Sequence, residues 1–471
     1  MSSNTPDDRL DPRLLGMIGV ILLGGLLGIL NSTMAAVATA TLATTFEASL
    51  STIGWTSTGF LLAVTATIPF TTWAVDRVGG KRLWLAGLLI FLAGSLGAGL
   101  AWNVGSLIAF RVLQGFGAGL LDPLVLILLA RAAGPRRAGR VMGLMGVVLS
   151  LGPVLGPIVG GAVLAGLSWR WMFLLTVPFG LVALLLAIRA LPADEERGTS
   201  PARLDVIGLA LLGPGFAAVV LALSQAGEQG AFAAWQVLIP LAAGVVLLAG
   251  YGLRRRTEPL IDLRLFANRG FSASVAIMGL SGLVLFATLF ALPLYYQHVH
   301  GYGVLAAGLL MAPVGLGGAV AMPLAGRLSD RIGARGLATA GAIVVLLSLP
   351  VLTRVGTDTP EIWPALAAFT TGLGSGCFSA PTMGSLYRTL PPAMVAQGSS
   401  VLYMLNQLGA ALGVALVTLI VQGAADTITG VHGVFWFAFG LIVVVLACIP
   451  LLPGKPAATP AVPDEEPARI S

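Results

Sequence analysis

Long apolar stretches recur along the whole chain and are separated by short joints rich in charged residues, glycine or proline. A transmembrane helix needs about 20 predominantly apolar residues, and a helix satisfies every backbone hydrogen bond within the lipid. The pattern predicts about fourteen spans of this kind. Their predicted extents are 14–40, 52–75, 83–102, 105–130, 141–166, 171–190, 205–224, 232–253, 271–297, 303–326, 336–353, 361–387, 398–422 and 431–453.

Composition supports a membrane protein. Hydrophobic residues make up 57% of the 471 residues and charged residues only 10%, whereas a soluble chain has about 25% charged residues. The mean hydropathy is +0.94. The sequence therefore predicts an all-α membrane protein in which lipid is the main solvent.

The basic residues indicate an orientation. Of the 26 lysines and arginines, 23 lie in the termini, in the even-numbered joints or, in the case of Arg189, at the edge of such a joint; two (Arg170 and Arg354) lie in odd-numbered joints, and Arg111 lies within a span. Cytoplasmic loops carry an excess of lysine and arginine. We therefore expect a protein of the cytoplasmic membrane whose two termini both lie in the cytoplasm. Because the basic residues form no continuous stripe, no nucleic-acid partner is expected.

A short repeat suggests how the spans are grouped. The segments VDRVGGKR at 75–82 and SDRIGARG at 329–336 follow the second and tenth spans, 254 positions apart. Two six-helix halves with two extra helices between them would produce this offset, and parallel half-repeats are known in secondary transporters. The predicted boundaries are a tail at 1–13, a bundle at 14–190, a linker with two helices at 191–270, a second bundle at 271–453 and a tail at 454–471.

Three motifs carry candidate chemistry. The first is a charged turn present in both repeats, which by itself is also compatible with a generic positive-inside joint. Its residues are Asp76, Arg77, Gly79, Lys81, Arg82, Asp330, Arg331 and Gly333.

The second motif is LIAFRVLQGFGAG at 107–119, in which Arg111 and Gln114 lie inside a span. An arginine at membrane depth is costly and normally faces protein or water. The alternative is that Arg111 lies near the outer interface and extends towards it.

The third motif is GLMGVVLSLGPVLGPIVGG at 143–161. Glycines at every fourth position leave one helix face without side chains, so that a neighbouring helix can approach closely, and prolines favour a bend. Ordinary tight packing is the alternative to a gating role. The motif residues are Gly143, Gly152, Pro153, Gly156, Pro157, Gly160 and Gly161.

Together these motifs resemble the fourteen-span drug:proton antiporter branch of the major facilitator superfamily. SWRWMFLLTVPFG at 168–180, EPLIDLRLFANRGF at 258–271, LPLYYQHVHGYG at 292–303 and AQGSSVLYMLNQLGAALGVA at 396–415 are also similar to that branch. The resemblance implies two six-helix bundles with two extra central helices, a charged turn that latches the halves on the cytoplasmic side, and export of drugs, antibiotics or related amphipathic molecules by alternating access.

The resemblance also implies that the proton gradient is the energy source and that no cofactor is used. We expect a monomer whose partners are protons, a small-molecule substrate and the bilayer. Exporters of an endogenous metabolite or lipid, and proton-coupled importers, remain alternatives on the same fold. The chain lacks a phosphate-binding loop and a catalytic constellation, so neither an ATP-driven pump nor an enzyme is expected. Cys377 and Cys448 lie far apart in apolar runs, and no metal site is implied.

The first span departs from the branch. Asn31 stands where the branch usually has an aspartate, Thr33 is retained, and Ala36 and Ala40 replace an asparagine and a proline. An amide cannot carry a proton, and a neutral residue here weakens the expectation of cationic substrates.

Only Asp122 lies well inside an apolar helix, eleven residues or about three turns from Arg111. An ionised carboxylate is costly in a poorly hydrated site. Asp122 is therefore the expected proton carrier, with Arg111 as its companion on the same helix face. The alternative is a structural aspartate that shapes the bend at Pro123. Polar residues at span depth are candidates for substrate binding: Asn31, Thr33, Gln114, Tyr295, Gln297, Tyr403, Asn406 and Gln407.

Overall fold

The computed structural model describes residues 11–194, 204–254 and 259–453. Over these ranges the chain forms helices and turns without a β-strand. Fourteen long helical segments follow one another there: α1 (Pro12–Val37), α2 (Leu50–Val78), α3 (Gly80–Gly99), α4 (Val104–Gly134), α5 (Arg137–Gly166), α6 (Trp171–Ala190), α7 (Val206–Gln229), α8 (Trp235–Leu253), α9 (Arg269–His298), α10 (Val304–Ile332), α11 (Ala334–Leu352), α12 (Ile362–Thr389), α13 (Pro392–Gln422) and α14 (Thr427–Leu451). The predicted all-α membrane fold is confirmed.

Thirteen of these segments are long and apolar enough to cross a membrane, and the exception is α12. This helix is rich in glycine, serine and threonine, and many of its residues are buried. A Cβ on Gly372 would meet the Val314 backbone of α10, and one on Gly374 would lie 2.7 Å from the Gly341 carbonyl oxygen of α11. Because α12 contacts helices more than lipid, it needs small side chains rather than a strongly apolar surface.

The two repeated turns have the same local structure. Gly79 has φ of 97° between α2 and α3, and Gly333 has φ of 89° between α10 and α11. A left-handed φ of this kind favours glycine. The glycine of the Asp-Arg-x-Gly core therefore ends one helix, and its left-handed φ allows the next helix to begin at the following residue. A third such residue, Gly134 (φ 64°), separates α4 from α5.

We refer to α1–α6 as the N-terminal half and to α9–α14 as the C-terminal half. The two halves meet along α5 and α10. A Cβ on Gly143 would lie 2.6 Å from the Met322 carbonyl oxygen, and one on Gly315 would lie 3.1 Å from the Ser150 carbonyl oxygen. On another side of the interface, Thr72 of α2 donates a 2.7 Å hydrogen bond to Ser400 of α13.

The pair α7 and α8 lies beside this interface. α7 contacts both halves: the Thr58 and Ser224 hydroxyls are 3.3 Å apart, and a Cβ on Gly227 would lie 3.6 Å from Ala415. α8 packs mainly on α7 and is largely exposed. The pair therefore covers the edge between α2 and α13. The 6 + 2 + 6 division stays a prediction, and the predicted C-terminal tail, together with residues 1–10 of the N-terminal tail, lies outside the described residues.

Candidate functional site

A buried arginine organises the interior of the N-terminal half. Arg111 on α4 is 0% exposed. Its Nε donates to the Thr56 carbonyl at 3.1 Å, and its Nη1 donates to Asn31 Oδ1 at 2.7 Å and to Gln114 Oε1 at 2.6 Å. Gln114 in turn donates to Ser95 Oγ at 2.6 Å. The network joins α1, α2, α3 and α4, so Arg111 turns into the protein and does not extend to the outer interface.

Every oxygen that accepts from Arg111 in this network is neutral. Asn31 Nδ2 and Arg111 Nη2 are buried and have no hydrogen-bond partner within the described residues. Buried donors are normally paired, and a buried cation is normally compensated by an anion. The network therefore leaves two donors and one positive charge without a counterpart.

Aromatic rings cover the guanidinium. The Phe60 ring centroid lies 4.1 Å from Arg111 Cζ, and that of Phe173 lies 5.7 Å away. A cation over an aromatic face is attracted by the ring quadrupole, and the interaction strengthens when water is excluded. The rings therefore offset part of the cost of burying the charge.

Asp122 lies further along α4 and faces the interface between the halves. Its Oδ1 is on the side of Gly28 in α1, where a Cβ would come within 3.6 Å. Its Oδ2 accepts a 2.7 Å hydrogen bond from the Tyr403 hydroxyl of α13. Both side chains are partly exposed, unlike Arg111. This single hydrogen bond therefore connects a titratable group of one half to the other half.

Arg111 and Asp122 both lie against α1, as their eleven-residue spacing predicts, but they do not pair. Arg111 bonds to Asn31, whereas Asp122 bonds to Tyr403. The candidate site therefore has two separate parts: a sealed cationic network and a partly exposed carboxylate at the interface.

The charged turn of the second repeat forms a latch between the halves. Asp330, at the end of α10, accepts hydrogen bonds at 2.9 Å from the backbone N–H groups of Gly139 and Arg140 in the first turn of α5. Arg388, at the end of α12, donates to the same carboxylate at 2.8 Å. A carboxylate at a helix N-terminus is stabilised by the free N–H groups and the helix dipole.

The first repeat joins helices of the N-terminal half. Asp76 bonds to Arg131 at 2.8 Å. The backbone N–H groups of Lys81 and Arg82 donate to Asp194 at 2.9 and 3.1 Å, and the Lys81 ammonium donates to the carbonyls of Ile188 and Leu191 at the end of α6. Lys81 thus fastens α3 to the end of α6. Arg77, Arg82 and Arg331 are exposed.

Residues 21–414 match the sequence model of the Major Facilitator Superfamily. The chain belongs to this superfamily. Its members are transporters rather than enzymes.

Curated relatives and solved structures agree with this assignment. The chain is 38% identical over 420 residues to the multidrug resistance protein B homolog of Mycobacterium tuberculosis H37Rv, covering 88% of this chain and 77% of the relative. It is 31% identical over 398 residues to the multidrug export protein EmrB of Escherichia coli K12, covering 83% and 77%. The proton:xylose symporter XylE, at 16% identity, matches with a TM-score of 0.68 over 94% of this chain and 96% of that structure, which shows the shared fold.

The glycine motif of this superfamily member packs α5 against α1. A Cβ on Gly152 would lie 2.5 Å from the Ile29 side chain, and one on Gly156 would overlap the Thr33 hydroxyl. Gly160 faces Met34 and Met172, and Gly161 faces Leu305 of α10. The helix continues through Pro153 and Pro157. Its small side chains therefore allow close contact with α1 and, through Gly143 and Gly161, with α10 of the other half.

The remaining substrate-binding candidates are dispersed. Thr33 bonds to carbonyls of its own helix and packs on the glycine motif. Tyr295 is buried, and its hydroxyl donates to the Gly356 carbonyl. Asn406 donates to the Met278 carbonyl at 3.4 Å. Gln297 and Gln407 are partly exposed. Of this group, Tyr403 alone is joined to Asp122 by a hydrogen bond.

Several structural partners carried no signal in the sequence. Asp194 falls at the start of the predicted linker, 191–270, yet its carboxylate accepts hydrogen bonds from the backbone N–H groups at the start of α3. Arg388 follows a span as an ordinary positive-inside residue does, and its bond to Asp330 comes from the tertiary fold. Ser95 is one of many small residues in apolar helices.

Proposed function

We propose that this chain is a proton-coupled antiporter that exports small amphipathic molecules, drugs and antibiotics among them, by alternating access. It lies in the cytoplasmic membrane with both termini in the cytoplasm, works as a monomer, and uses the proton gradient without a cofactor. Asp122 carries the proton, and its hydrogen bond to Tyr403 links its protonation state to the other half.

The hydrogen bond between Asp122 and Tyr403 is the observation that carries the proposal. A proton carrier needs a titratable group at membrane depth with a route to water, and Asp122 is partly exposed at the interface of the halves. An ionised carboxylate accepts a stronger hydrogen bond than a neutral carboxyl group does. Protonation of Asp122 therefore weakens a bond that holds the two halves together.

The latch at Asp330 supplies the second element of alternating access. It joins α10 to the first turn of α5 at the end of the molecule that carries the basic turns. If that end closes while Asp122 is ionised and opens after Asp122 is protonated, proton entry is coupled to the change of access. A two-state element that both ligands bias is the physical requirement for such coupling.

Export of drugs as the direction and cargo rests on the relatives. EmrB is named a multidrug export protein and the mycobacterial relative a multidrug resistance protein. The neutral Asn31 beside Arg111 favours uncharged or anionic cargo over cations, because a cation next to an uncompensated arginine is repelled.

Proton release from acid-loaded inverted vesicles tests the proposal. Vesicles containing the protein are challenged with a panel of cationic, neutral and anionic amphipathic compounds, and the internal pH is followed with a fluorescent dye. We expect at least one class of compound to drive protons out as it enters, with the signal lost when an uncoupler is present. Saturable transport of compound without proton movement would contradict antiport.

A further inference from the structure

The uncompensated donors beside Arg111 point to a ligand. Asn31 Oδ1 accepts a 2.7 Å hydrogen bond from Arg111 Nη1. The donors without a partner are the other nitrogens of the same two groups: Asn31 Nδ2, on the amide carbon that carries Oδ1, and Arg111 Nη2, on the guanidinium carbon that carries Nη1. The two free donors therefore belong to two groups that contact each other directly. Both side chains are 0% exposed, so bulk water does not satisfy them.

A water molecule inside the protein would accept hydrogen bonds from the two free donors, but it would not compensate the positive charge of Arg111. A guanidinium stays ionised in proteins, and the oxygens that contact this one are two side-chain amides and a backbone carbonyl. A small planar anion with two oxygens satisfies both requirements, since a carboxylate accepts two parallel hydrogen bonds from neighbouring N–H donors.

We infer that Arg111 and Asn31 form a subsite for a carboxylate or a similarly small anionic group. Asn31 donates through Nδ2, and Arg111 donates through Nη2 and supplies the positive charge. Because the neutral Asn31 occupies a position where a carboxylate would pair with Arg111 internally, the substitution leaves the cation available for a ligand from outside.

Entry of the group requires side chains that bury the guanidinium to move, Phe60 among them. Phe60 lies over the guanidinium with its ring centroid 4.1 Å from Arg111 Cζ and is 6% exposed. It belongs to α2, which also contacts α13 through Thr72. A change of contact between the halves therefore reaches the ring that covers the subsite.

The anionic group has two sources. It belongs either to a free small anion that remains with the protein or to an acidic substrate, and the second source rests on the proposed transport function. Both predict the same subsite chemistry. They differ in whether an amphipathic acid is carried across the membrane.

Thermal unfolding in lipid nanodiscs tests the subsite. The purified full chain is titrated with sodium acetate, with ionic strength held constant by sodium chloride, whose anion lacks the two oxygens of a carboxylate, and neutral acetamide serves as the matched compound. We expect acetate, but not acetamide, to raise the unfolding midpoint saturably by roughly 2 °C or more. Equal responses to acetate and acetamide would overturn the inference.

Asn31→Asp supplies a permanent carboxylate to Arg111 and should weaken the acetate response at least about tenfold. Asn103→Asp is the matched control, because Asn103 is exposed and caps the start of α4, the helix that carries Arg111, a position where aspartate serves equally well. An undiminished acetate response in Asn31→Asp would also overturn the inference.

A third variant separates this inference from the proposed function. Asp122→Asn should retain the acetate response even though proton coupling is lost, so each claim can fail without the other. The sources are distinguished with 1-naphthaleneacetate and 1-naphthaleneacetamide in proteoliposomes. If the subsite serves a substrate, only the acid competes with acetate and moves against protons. If it serves a free anion, acetate binds while neither compound is transported.

Discussion

Tyr403 of α13 donates a 2.7 Å hydrogen bond to Asp122 of α4, although 281 positions separate them in the chain. The bond crosses from one half of the transporter to the other. Hydrogen bonds to charged groups contribute about 1.5–3 kcal/mol. In the proposed alternating-access cycle, a bond of this size is enough to bias the arrangement of the two halves, and its strength depends on the charge of Asp122.

Tyr403→Phe should loosen this contact without removing the proton carrier. Loss of about 1.5–3 kcal/mol would shift the ratio of closed to open forms roughly 10- to 100-fold. Spin labels on the two halves, near the ends of α2 and α13, would report the shift as a change in their distance distribution. Tyr387→Phe is the control, because that buried hydroxyl bonds to Ser399 within the C-terminal half.

The effect of Tyr403→Phe should disappear in the background of Asp122→Asn, since the two changes act on one bond. Additive shifts in the double variant would show that Tyr403 acts elsewhere.

Asp330→Asn should weaken the latch on α5. The amide keeps an oxygen acceptor but loses the charge that interacts with the helix N-terminus and with Arg388, which would cost about 1–3 kcal/mol. Hydrogen exchange detected by mass spectrometry should show faster exchange in the peptide containing Gly139 and Arg140. Unchanged exchange there would exclude Asp330 as the residue that holds the start of α5.

The Gly156 position tests the contact between α5 and α1. A methyl group there would overlap the Thr33 hydroxyl, and overpacking of this kind costs about 1–3 kcal/mol. Gly156→Ala should therefore lower the thermal unfolding midpoint and slow transport. On the same helix, a Cβ on Gly166 meets no atom within 4 Å, so Gly166→Ala should change the midpoint little. A similar response in both variants would contradict the close contact.

Much of the fold was predictable because lipid imposes a strong rule on sequence. Each span needs a long apolar run, and the repeated Asp-Arg-x-Gly turn marks equivalent positions through glycines that require a left-handed φ. α12 shows where this rule weakens: its glycines and serines serve contact with other helices, so its hydropathy is lower than that of the other thirteen segments.

The candidate site was predictable only in part. Asp122 stands out in the sequence because an acid inside an apolar helix is costly, and Arg111 stands out for the same reason. Their partners do not. Tyr403 and Asn31 are ordinary polar residues until the fold places them beside a charge, and Asp194 looks like a linker residue until it meets the start of α3. Pairing across 80 to 281 positions depends on helix packing that no local pattern encodes.

Proton coupling through Asp122 is tested most directly by comparing two modes of transport in the same proteoliposomes. Uptake of compound driven by an imposed pH gradient requires the carrier to gain and lose a proton, whereas exchange of labelled for unlabelled compound at equal pH does not. Asp122→Asn fixes the side chain in a neutral form. The control is Asp426→Asn: hydrogen bonds from Thr429 lower the pKa of the exposed Asp426 carboxyl, so this change also removes a negative charge, outside the candidate site.

We expect wild-type protein and Asp426→Asn to perform both modes, and Asp122→Asn to retain exchange while losing gradient-driven uptake. Gradient-driven uptake at the wild-type rate in Asp122→Asn would contradict the assignment of Asp122 as the proton carrier.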